Sequence, residues 1–376
     1  MKSNLLNWDQ TLFKDIEVFD ISYVPEQFEY RDEQMAELAL SIRPALMGGK
    51  ILPTVCKGLP GTGKTTSVRK LFEEIDKSTK KIIPISINCQ IDNTEYAVFS
   101  RIYSKITKHS PPSSGTAFKS LMDGLLNYIE KEGVLPLVCL DDANYLIYQK
   151  QFNDILYPLL RIHEQKDGIS FGVIVVISDM SIDLESVIDA RVGSVFRYET
   201  INFAPYTSNE VAGILSARIK QGLYPRVLST ELLDKIVDRT MKCGDVRMGL
   251  DLIKRSVLYA ENDARKEVLE KDVLKAFSAS RDLHLSTAVR SLSKDEYQVL
   301  SKIVKLSTGE KSPTTSEIRD AIPEKGPKVT RVNEIIEKLD MMHLVTTEYS
   351  NTGKGRQRFV HLKYDKERME RILKRK

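Results

Sequence analysis

The sequence predicts an α/β protein in which helices cover both faces of a parallel sheet. Two observations support this fold class. Between residues 51 and 205, short apolar runs alternate with amphipathic helical segments, as parallel strands joined by helical crossovers require. After residue 205 the pattern predicts helices alone, and residues 291–376 predict helices followed by two short strands. The predicted strands of the sheet are Thr54–Lys57, Ile82–Ile87, Val134–Leu140 and Val173–Ile177.

These changes of pattern predict three domains. We expect an α/β core with an N-terminal segment at residues 1–205, a helical domain at 206–285 and a C-terminal domain at 290–376. A polar stretch at Arg281–Arg290 separates the last two. Because domains typically hold about 100–200 residues, a chain of 376 residues accommodates this division.

Composition limits the class of protein. With 41% hydrophobic and 29% charged residues, the chain has the balance of a soluble globular protein. The first residues, MKSNLLNWDQ, lack the apolar run of a signal peptide, and no stretch approaches the roughly 18 apolar residues of a membrane span. We therefore expect a cytoplasmic protein without a membrane partner, whose four scattered cysteines are buried free thiols.

Positive charge is concentrated at the C-terminal end. Residues 291–376 contain 19 Lys and Arg against 13 Asp and Glu, a net charge of +6, which leaves −2 for the first 290 residues of a chain whose total is +4. A basic C-terminal domain on a slightly acidic body indicates a polyanionic partner. A solvated surface explains a charge of this size about as well.

The segment GLPGTGKT, Gly58–Thr65, fits the phosphate-loop pattern G-x-x-x-x-G-K-[ST] at every required position. It follows the first predicted strand and opens a helix whose buried face begins at Val68. In this context backbone N–H groups surround the phosphates, Lys64 neutralises the β- and γ-phosphates, and the Thr65 hydroxyl binds Mg²⁺. We therefore expect ATP or ADP with Mg²⁺ as cofactors. The predicted loop residues are Gly58, Gly61, Thr62, Gly63, Lys64, Thr65 and Thr66.

Two adjacent aspartates, Asp141 and Asp142, follow the apolar strand LVCL. In proteins with a phosphate loop such an acid holds Mg²⁺, and a neighbouring carboxylate can orient the attacking water. We assign the metal role to Asp141 and the water-orienting role to Asp142. Glu is commoner at the second position, and misplacing a catalytic base by about 1 Å can cost roughly a hundredfold in rate. Slow hydrolysis is therefore expected; solvation of a strand end is the alternative interpretation.

The next strand ends in Ser178 and Asp179. A polar side chain at this point usually helps to place the γ-phosphate and the water. An ionised Asp179 can only accept hydrogen bonds, whereas an Asn could donate one to the phosphate. Asp179 is therefore a candidate catalytic residue that favours weak hydrolysis, with Ser178 as a substitute donor or a capped strand end as alternatives.

The C-terminal domain has the pattern of a winged helix. Thr315–Ile322 and Val329–Leu339 predict two helices separated by PEKGP, and the second helix leaves polar residues exposed in its N-terminal half, as in a helix-turn-helix that enters the major groove. Leu344–Tyr349 and Phe359–Leu362 predict a hairpin with a basic tip. A winged helix that contacts protein is the alternative. The predicted DNA contacts are Lys328, Thr330, Arg331 and Asn333 on the helix and Lys354, Arg356 and Arg358 on the hairpin.

Six segments, GLPGTGKT, LVCLDDAN, VVISDM, DARVGS, FAPY and GDVRMGLDLI, resemble those of AAA+ ATPases in sequence and order. With FEYRDEQ before the loop and a basic C-terminal domain, the chain from about Pro25 onward is similar to the archaeal replication initiators related to the eukaryotic origin recognition complex. The resemblance implies a AAA+ core with a parallel sheet, a helical lid and a C-terminal winged helix. It also implies double-stranded origin DNA, the replicative helicase and other initiator copies as partners, and association with the nucleoid.

The resemblance implies roles for single residues of the lid. Arg247, in GDVRMGL, matches the lid arginine that reaches back to the phosphates. Tyr206, in FAPY, and Arg218, in ILSARI, match positions that line the nucleotide pocket. Without the surrounding motif, an arginine on a lid helix is more often part of a surface ion pair.

Further roles follow from the same resemblance. Tyr30 and Arg31 match the segment that approaches the adenine, and Arg191, in DARVGS, is the candidate arginine finger for ATP in a neighbouring subunit. Val195 stands where many relatives carry a second arginine. A helical insertion at Thr94–Lys108 is a second candidate DNA contact, with an ordinary surface helix as the alternative.

The predicted function is an ATP-dependent, DNA-binding initiator that recognises replication origins, helps to recruit the replicative helicase and uses slow ATP hydrolysis as a switch. One alternative is a divergent paralogue that acts as an ATP-bound DNA-binding regulator with little catalysis, which the residues at positions 142, 179 and 195 favour. Another AAA+ machine, such as a clamp loader or a mobile-element helper, is the second alternative.

Overall fold

The computed structural model describes residues 11–374 apart from 27, 112–117, 181, 309–311, 324–325, 343 and 353–354. These residues form two compact units. The first unit is Val24–Tyr206, and the second combines the residues up to Tyr23 with those from Thr207 onward.

The first unit is built on a sheet of five parallel strands, in the order β2-β3-β4-β1-β5. The predicted parallel sheet is therefore confirmed, and four strands lie within one or two residues of their predicted positions. The fifth, β5, was not predicted because only its third and fifth residues are buried, so it has no apolar run. The strands are β1 (Thr54–Gly58), β2 (Ile82–Asn88), β3 (Leu135–Asp141), β4 (Gly172–Ile177) and β5 (Glu199–Phe203).

Helices cover both faces of this sheet. On one face α1 and α2 pack through Leu38 and Leu71, and on the other α3, α4 and α6 pack through Phe99, Leu125 and Leu156. The helices of this unit are α1 (Asp32–Leu46), α2 (Lys64–Ser78), α3 (Glu95–Thr107), α4 (Phe118–Glu132), α5 (Asn144–Tyr148), α6 (Phe152–Leu160), α7 (Ile162–Gln165), α8 (Leu184–Val187) and α9 (Ala190–Gly193).

The strand register brings the polar strand ends together. Asn88 of β2 lies opposite Asp141 of β3, and Gly58 of β1 lies opposite Phe203 of β5. Because all five strands are parallel, their carboxyl ends share one edge of the sheet. Ligands of open α/β sheets bind at this edge.

The second unit begins with helices that hold the N-terminal segment. Phe13 pairs with Leu223, and a 3₁₀ helix at Glu17–Phe19 buries Val18 and Phe19. This packing was not predicted. The helices that follow are α10 (Ser208–Gly222), α11 (Thr230–Cys243), α12 (Val246–Asn262) and α13 (Glu270–Ser291).

The polar stretch at Arg281–Arg290, which was predicted to separate two domains, lies inside the continuous helix α13. Leu285 and Val289 of this helix belong to the hydrophobic core of the C-terminal residues. The rest of that core comes from three helices, a two-stranded antiparallel hairpin and a final helix. This arrangement of helices and hairpin is a winged helix, as predicted. These elements are α14 (Lys294–Leu306), α15 (Thr315–Asp320), α16 (Val329–Met341), β6 (Val345–Thr352), β7 (Gly355–Leu362) and α17 (Lys366–Leu373).

The four cysteines are free, as predicted, and Cys56, Cys89 and Cys139 are buried while Cys243 is partly exposed. Burial raises the pKa of the Cys56 thiol to about 12, so this thiol stays protonated at neutral pH. Within the described ranges, no helix has both the length and the apolar character that crossing a membrane demands.

Candidate nucleotide site and DNA-binding domain

The phosphate loop joins β1 to α2 at the carboxyl edge of the sheet. Gly61 and Gly63 have φ angles of +76° and +91°, a conformation that residues with a Cβ adopt at a cost. Lys64 is only 4% exposed, and its ammonium group donates to the carbonyl oxygens of Gly58 and Leu59, each at 2.8 Å. Thr62 is buried and Thr66 lies in the first turn of α2. The loop thus has the curved backbone and the cation that a polyphosphate requires.

Thr65 and Asp141 meet at the mouth of this loop. The Thr65 hydroxyl donates to Asp141 Oδ1 at 2.9 Å. Burial raises the pKa of the Asp141 carboxyl, and the charge of Asp142 adds to this effect, while the Thr65 hydrogen bond and the cations Arg69 and Lys64 oppose it. A buried carboxylate beside a hydroxyl is a set of hard oxygen donors, which suits Mg²⁺.

Asp142 has a left-handed backbone, with φ = +56°. Its side chain accepts two hydrogen bonds, from the Ser178 hydroxyl at 3.2 Å and from the Gln90 amide at 3.0 Å. The two donors come from the ends of β4 and β2, which flank β3 in the sheet. The carboxylate is therefore held in one orientation beside the predicted metal ligand.

Asp179 accepts a hydrogen bond from the Tyr148 hydroxyl on α5. The Ser178 backbone N–H donates to Asn144 Oδ1 at 3.4 Å, and Asn144 is buried. The strand end predicted to sense the γ-phosphate is thus linked to α5, which follows the two acids in sequence.

Tyr206 and Arg31 lie against the phosphate loop. The Arg31 guanidinium is 3.8 Å from the centre of the Tyr206 ring, and its Nε donates to the Thr62 carbonyl oxygen at 2.9 Å. Tyr30 precedes it with a φ angle of +67°. Arg31 thus contacts the loop backbone, and the approach of Tyr30 and Arg31 to the adenine stays a prediction.

The two lid arginines are both engaged within the second unit. Arg218 is buried; it donates to the Val18 carbonyl oxygen at 3.2 Å and lies 4.6 Å from the centre of the Tyr23 ring. Arg247 forms an ion pair of 2.7 Å with Asp245, which caps α12. The pocket-lining role of Arg218 and the sensor role of Arg247 remain predictions.

Arg191, in α9, is the most exposed of the predicted catalytic residues. Its side chain is 58% exposed and pairs with Asp189 at 2.7 Å and with Asp154 at 3.4 Å. Hydrogen bonding to Asp189 raises the pKa of the guanidinium, so the group stays cationic. An exposed, permanently charged arginine suits a residue that acts on another subunit.

The winged helix exposes the N-terminal end of α16. Lys328, Thr330 and Arg331 are exposed and Asn333 is half-buried, while Arg331 pairs with Glu334 at 2.8 Å. Since the buried face of α16 lies on the core, Thr330 faces outward with Arg331 and Asn333 on either side of it, and Lys328 precedes the first turn.

The three predicted DNA contacts on the hairpin differ in their surroundings. The Arg358 side chain is 15% exposed; it lies 3.3 Å from Glu337 Oε1 on α16 and donates to the Thr347 hydroxyl at 3.3 Å. Arg358 thus connects the hairpin to α16. Arg356 belongs to β7, and Lys354 lies outside the described residues.

Comparison with known proteins assigns the family. The family model "Cdc6 AAA+ ATPase-type lid domain" matches residues 212–278, and "AAA domain" matches residues 52–183. The chain is 40% identical over 367 residues to ORC1-type DNA replication protein 3 of Haloarcula marismortui, covering 97% of this chain and 96% of that protein. It is 38% identical to ORC1-type DNA replication protein 2 of Methanosarcina mazei, with 99% of both chains covered.

The chain belongs to the ORC1-type DNA replication protein family. The resemblance to archaeal replication initiators and to AAA+ ATPases is thereby confirmed, and the clamp-loader and mobile-element alternatives are set aside.

Solved structures share the fold of this ORC1-type chain. A structure of the Aeropyrum pernix ORC1 protein in complex with DNA has a TM-score of 0.71 and 24% identity, covering 98% of both chains. A structure of the Aeropyrum pernix ORC2 protein in ADPNP and ADP complexes has a TM-score of 0.72 and 22% identity, covering 97% of this chain and 98% of that one. At this identity the likeness establishes the fold.

Three residues of the ORC1-type site were missed in the sequence. Gln90, Asn144 and Tyr148 contact the acids or the strand end beside them, yet Gln90 is 52 positions from its partner Asp142. Asn144 and Tyr148 follow the paired acids closely in sequence, and this proximity could have identified them as site residues. Gln90 follows β2 by two residues, and only the strand order of the sheet identifies it as a neighbour.

Proposed function

We propose that this ORC1-type chain is an ATP-switched initiator that binds replication-origin DNA through its winged helix and helps to recruit the replicative helicase. The observation that carries the proposal is the site at the carboxyl edge of the sheet. There the phosphate loop, a hydroxyl–carboxylate pair and a second, firmly held carboxylate lie side by side.

Nucleotide binding rests on the loop. Lys64 and the backbone N–H groups at the start of α2 would hold the phosphates. Thr65 and Asp141 would hold Mg²⁺, which supplies charge neutralisation of the β- and γ-phosphates. Binding a cation also removes the cost of the buried Asp141 carboxylate, whose pKa is raised in the protein alone.

Hydrolysis is proposed to be slow. Asp142 would orient the attacking water, but both of its oxygens already accept hydrogen bonds, and its side chain is shorter than that of the commoner Glu. Asp179 accepts a hydrogen bond from Tyr148 and, when ionised, cannot donate to a phosphate. A slow step suits a switch, because two states of different DNA affinity then persist long enough to be used.

The nucleotide state is proposed to be sensed by arginines outside the loop. Arg247, near the start of α12, would act as the lid arginine, and its ion pair with Asp245 would have to open for this role. Arg191 would act as a finger on ATP in another initiator copy. Its 58% exposure supports this role, since an arginine that acts in another subunit must be accessible.

DNA binding is proposed for the outer face of α16. Thr330 lies on that face, with Arg331 and Asn333 on either side and Lys328 at the N-cap, and the net charge of residues 291–376 supports a polyanionic partner. A relative in fold is described in complex with DNA, which supports the same partner here. The family name of the relatives supports a role in replication, and recruitment of the helicase is the furthest step of the proposal.

Footprinting on fragments of the cognate genome, with ATP and with ADP, tests this function. The salt concentration is held fixed because phosphate contacts make DNA affinity salt-dependent. We expect protection of a few discrete sites that changes with the nucleotide. Lys64→Ala should lose the nucleotide dependence and retain the basal protection. Uniform weak protection, equal with both nucleotides, would contradict the proposal.

A divergent regulator with little catalysis is the second candidate. The observation that favours it is that both oxygens of the Asp142 carboxylate already accept a hydrogen bond, from Ser178 and from Gln90, which restrains the base and leaves fewer acceptor sites for water. Single-turnover hydrolysis, measured with and without DNA and at increasing protein concentration, separates the two candidates. A rate that neither DNA nor a second subunit increases would favour the regulator.

A further inference from the structure

Arg31 makes a set of contacts that the nucleotide-binding motifs do not account for. Its side chain lies in the first unit, and the residue is only 5% exposed. Each of its guanidinium nitrogens donates to a backbone carbonyl oxygen: Nε to Thr62 at 2.9 Å, Nη2 to Ala204 at 2.7 Å and Nη1 to Tyr30 at 3.1 Å. One planar cation thus joins the phosphate loop, the segment after β5 and Tyr30, the residue before Arg31 itself.

Tyr206 completes this arrangement. Its ring covers the guanidinium at 3.8 Å, a distance at which a cation and an aromatic face attract each other. Its hydroxyl lies against the loop, because a methyl group at Gly63 would come within 2.5 Å of the Tyr206 oxygen. The phosphate loop is therefore contacted at Thr62 by the guanidinium and at Gly63 by the ring that covers it.

This contact matters because the loop is rich in glycine. Glycine loses more conformational freedom on ordering than any other residue, and this loop contains Gly58, Gly61 and Gly63. Hydrogen bonds from a charged donor are about twice as strong as neutral ones, and the fixed fork of arginine can make several at once. A lysine could replace one of these bonds but could not span the three carbonyls.

We propose that Arg31 is a positioning residue that holds the phosphate loop in its nucleotide-binding shape by fixing the Thr62 carbonyl against the Ala204–Tyr206 segment. This inference deepens the proposed function and rests on it for the identity of the ligand. Arg31 acts through the loop backbone, so its loss weakens binding of the nucleotide, while Asp142 keeps its own hydrogen bonds to Ser178 and Gln90.

Two measurements on the full chain test the proposal, in wild type, Arg31→Lys, Arg31→Ala and Tyr206→Leu. The first is amide hydrogen exchange of the loop peptide without nucleotide. We expect the exchange at residues 59–65 to rise about tenfold or more, as the loss of charge-assisted hydrogen bonds predicts. The second is titration with ATP, in which Kd should rise by about tenfold to a hundredfold. Hydrolysis at saturating ATP is measured alongside, so that weaker binding is separated from a change in the chemical step.

Gln34→Ala is the matched control. Gln34 lies in the first turn of α1 and donates to the carbonyl oxygen of Asn202 at 3.3 Å, a contact with β5 and not with the loop. It should leave both measurements unchanged. In a double variant, Arg31→Lys with Tyr206→Leu, loop exchange and Kd should rise no further than in the more affected single variant. The two side chains contact each other, so their effects should not add.

Unchanged loop exchange in both Arg31 variants would overturn the proposal, and so would a fall in the saturated rate with unchanged Kd. If Arg31→Ala does not fold, Arg31→Lys and Tyr206→Leu decide the question. The exchange measurement needs no ligand. If the wild-type protein bound no ATP, the proposed function would fail, while the exchange result would still determine whether Arg31 fixes the loop.

Discussion

Lengthening the second acid, Asp142→Glu, is the sharpest test of the hydrolysis site. One added methylene advances the carboxylate by roughly 1.5 Å, the length of a carbon–carbon bond. A displacement of about 1 Å in a catalytic group changes rates by roughly a hundredfold, which corresponds to about 2.7 kcal/mol of activation free energy. If Asp142 is the water-orienting base and is simply too short, the variant should hydrolyse ATP about ten- to a hundredfold faster.

The same substitution should cost stability. Asp142 has φ = +56°, and residues other than Gly, Asn and Asp adopt this conformation at a cost of about 1–2 kcal/mol. Glu would also displace the carboxylate from the Ser178 hydroxyl and the Gln90 amide. A loss of about 1 kcal/mol lowers Tm by about 2–4 °C in a domain of 150–250 residues, which is the size range of the first unit.

The assay is single-turnover hydrolysis at saturating ATP, paired with a binding titration and a thermal melt. Asp142→Asn is the matched control, because it retains the shape and the tolerance of the left-handed backbone but removes the charge. It should bind ATP with nearly wild-type affinity and lose turnover. The reasoning is refuted if Asp142→Glu binds ATP normally and turns over no faster than wild type.

Three further predictions concern other parts of the chain. Asp141→Asn should raise the Tm of the nucleotide-free protein near neutral pH. Since burial raises the pKa of this carboxyl, its ionised form costs stability above that pKa, and the advantage of Asn should shrink as pH falls toward about 4; a gain independent of pH would contradict this. Glu334→Gln should tighten DNA binding by about two- to fivefold in a low-salt titration, because it releases Arg331 from an ion pair worth up to about 1 kcal/mol; weaker binding would count against the α16 interface. Arg191→Ala and Lys64→Ala should each fail to hydrolyse ATP alone. Mixing the two variants should restore hydrolysis if Arg191 acts on ATP in another subunit, whereas an arginine finger acting within its own chain would leave the mixture inactive.

Sequence patterns located the elements that depend on local periodicity. The apolar runs of β1, β3 and β4 are almost wholly buried and that of β2 is largely so, which makes them visible in the sequence, while β5 buries only Ile201 and Phe203 and was missed. The phosphate loop was located because its backbone demands glycine at fixed positions.

Contacts between distant segments could not be derived in this way. Arg358 was assigned to DNA from its place on a basic hairpin, yet its side chain lies against Glu337 and Thr347 within the domain. Gln90 was overlooked because an exposed amide in a turn carries no signal until strand order places it beside Asp142. Charge and spacing identify which residues can do chemistry, whereas partner choice is decided by packing.

Several costly features of the first unit lie near the phosphate loop and the paired acids, and this placement is an argument for function. Asp141 is a carboxyl with a raised pKa, and Asp142 and Tyr30 have left-handed backbones. Each of these features lowers the stability of the nucleotide-free protein, and such strain persists where it serves a site. A phosphate-bound cation would offset the charge of Asp141 and fix the loop at once. We therefore expect nucleotide to stabilise this unit more than any single substitution that relieves one of these costs.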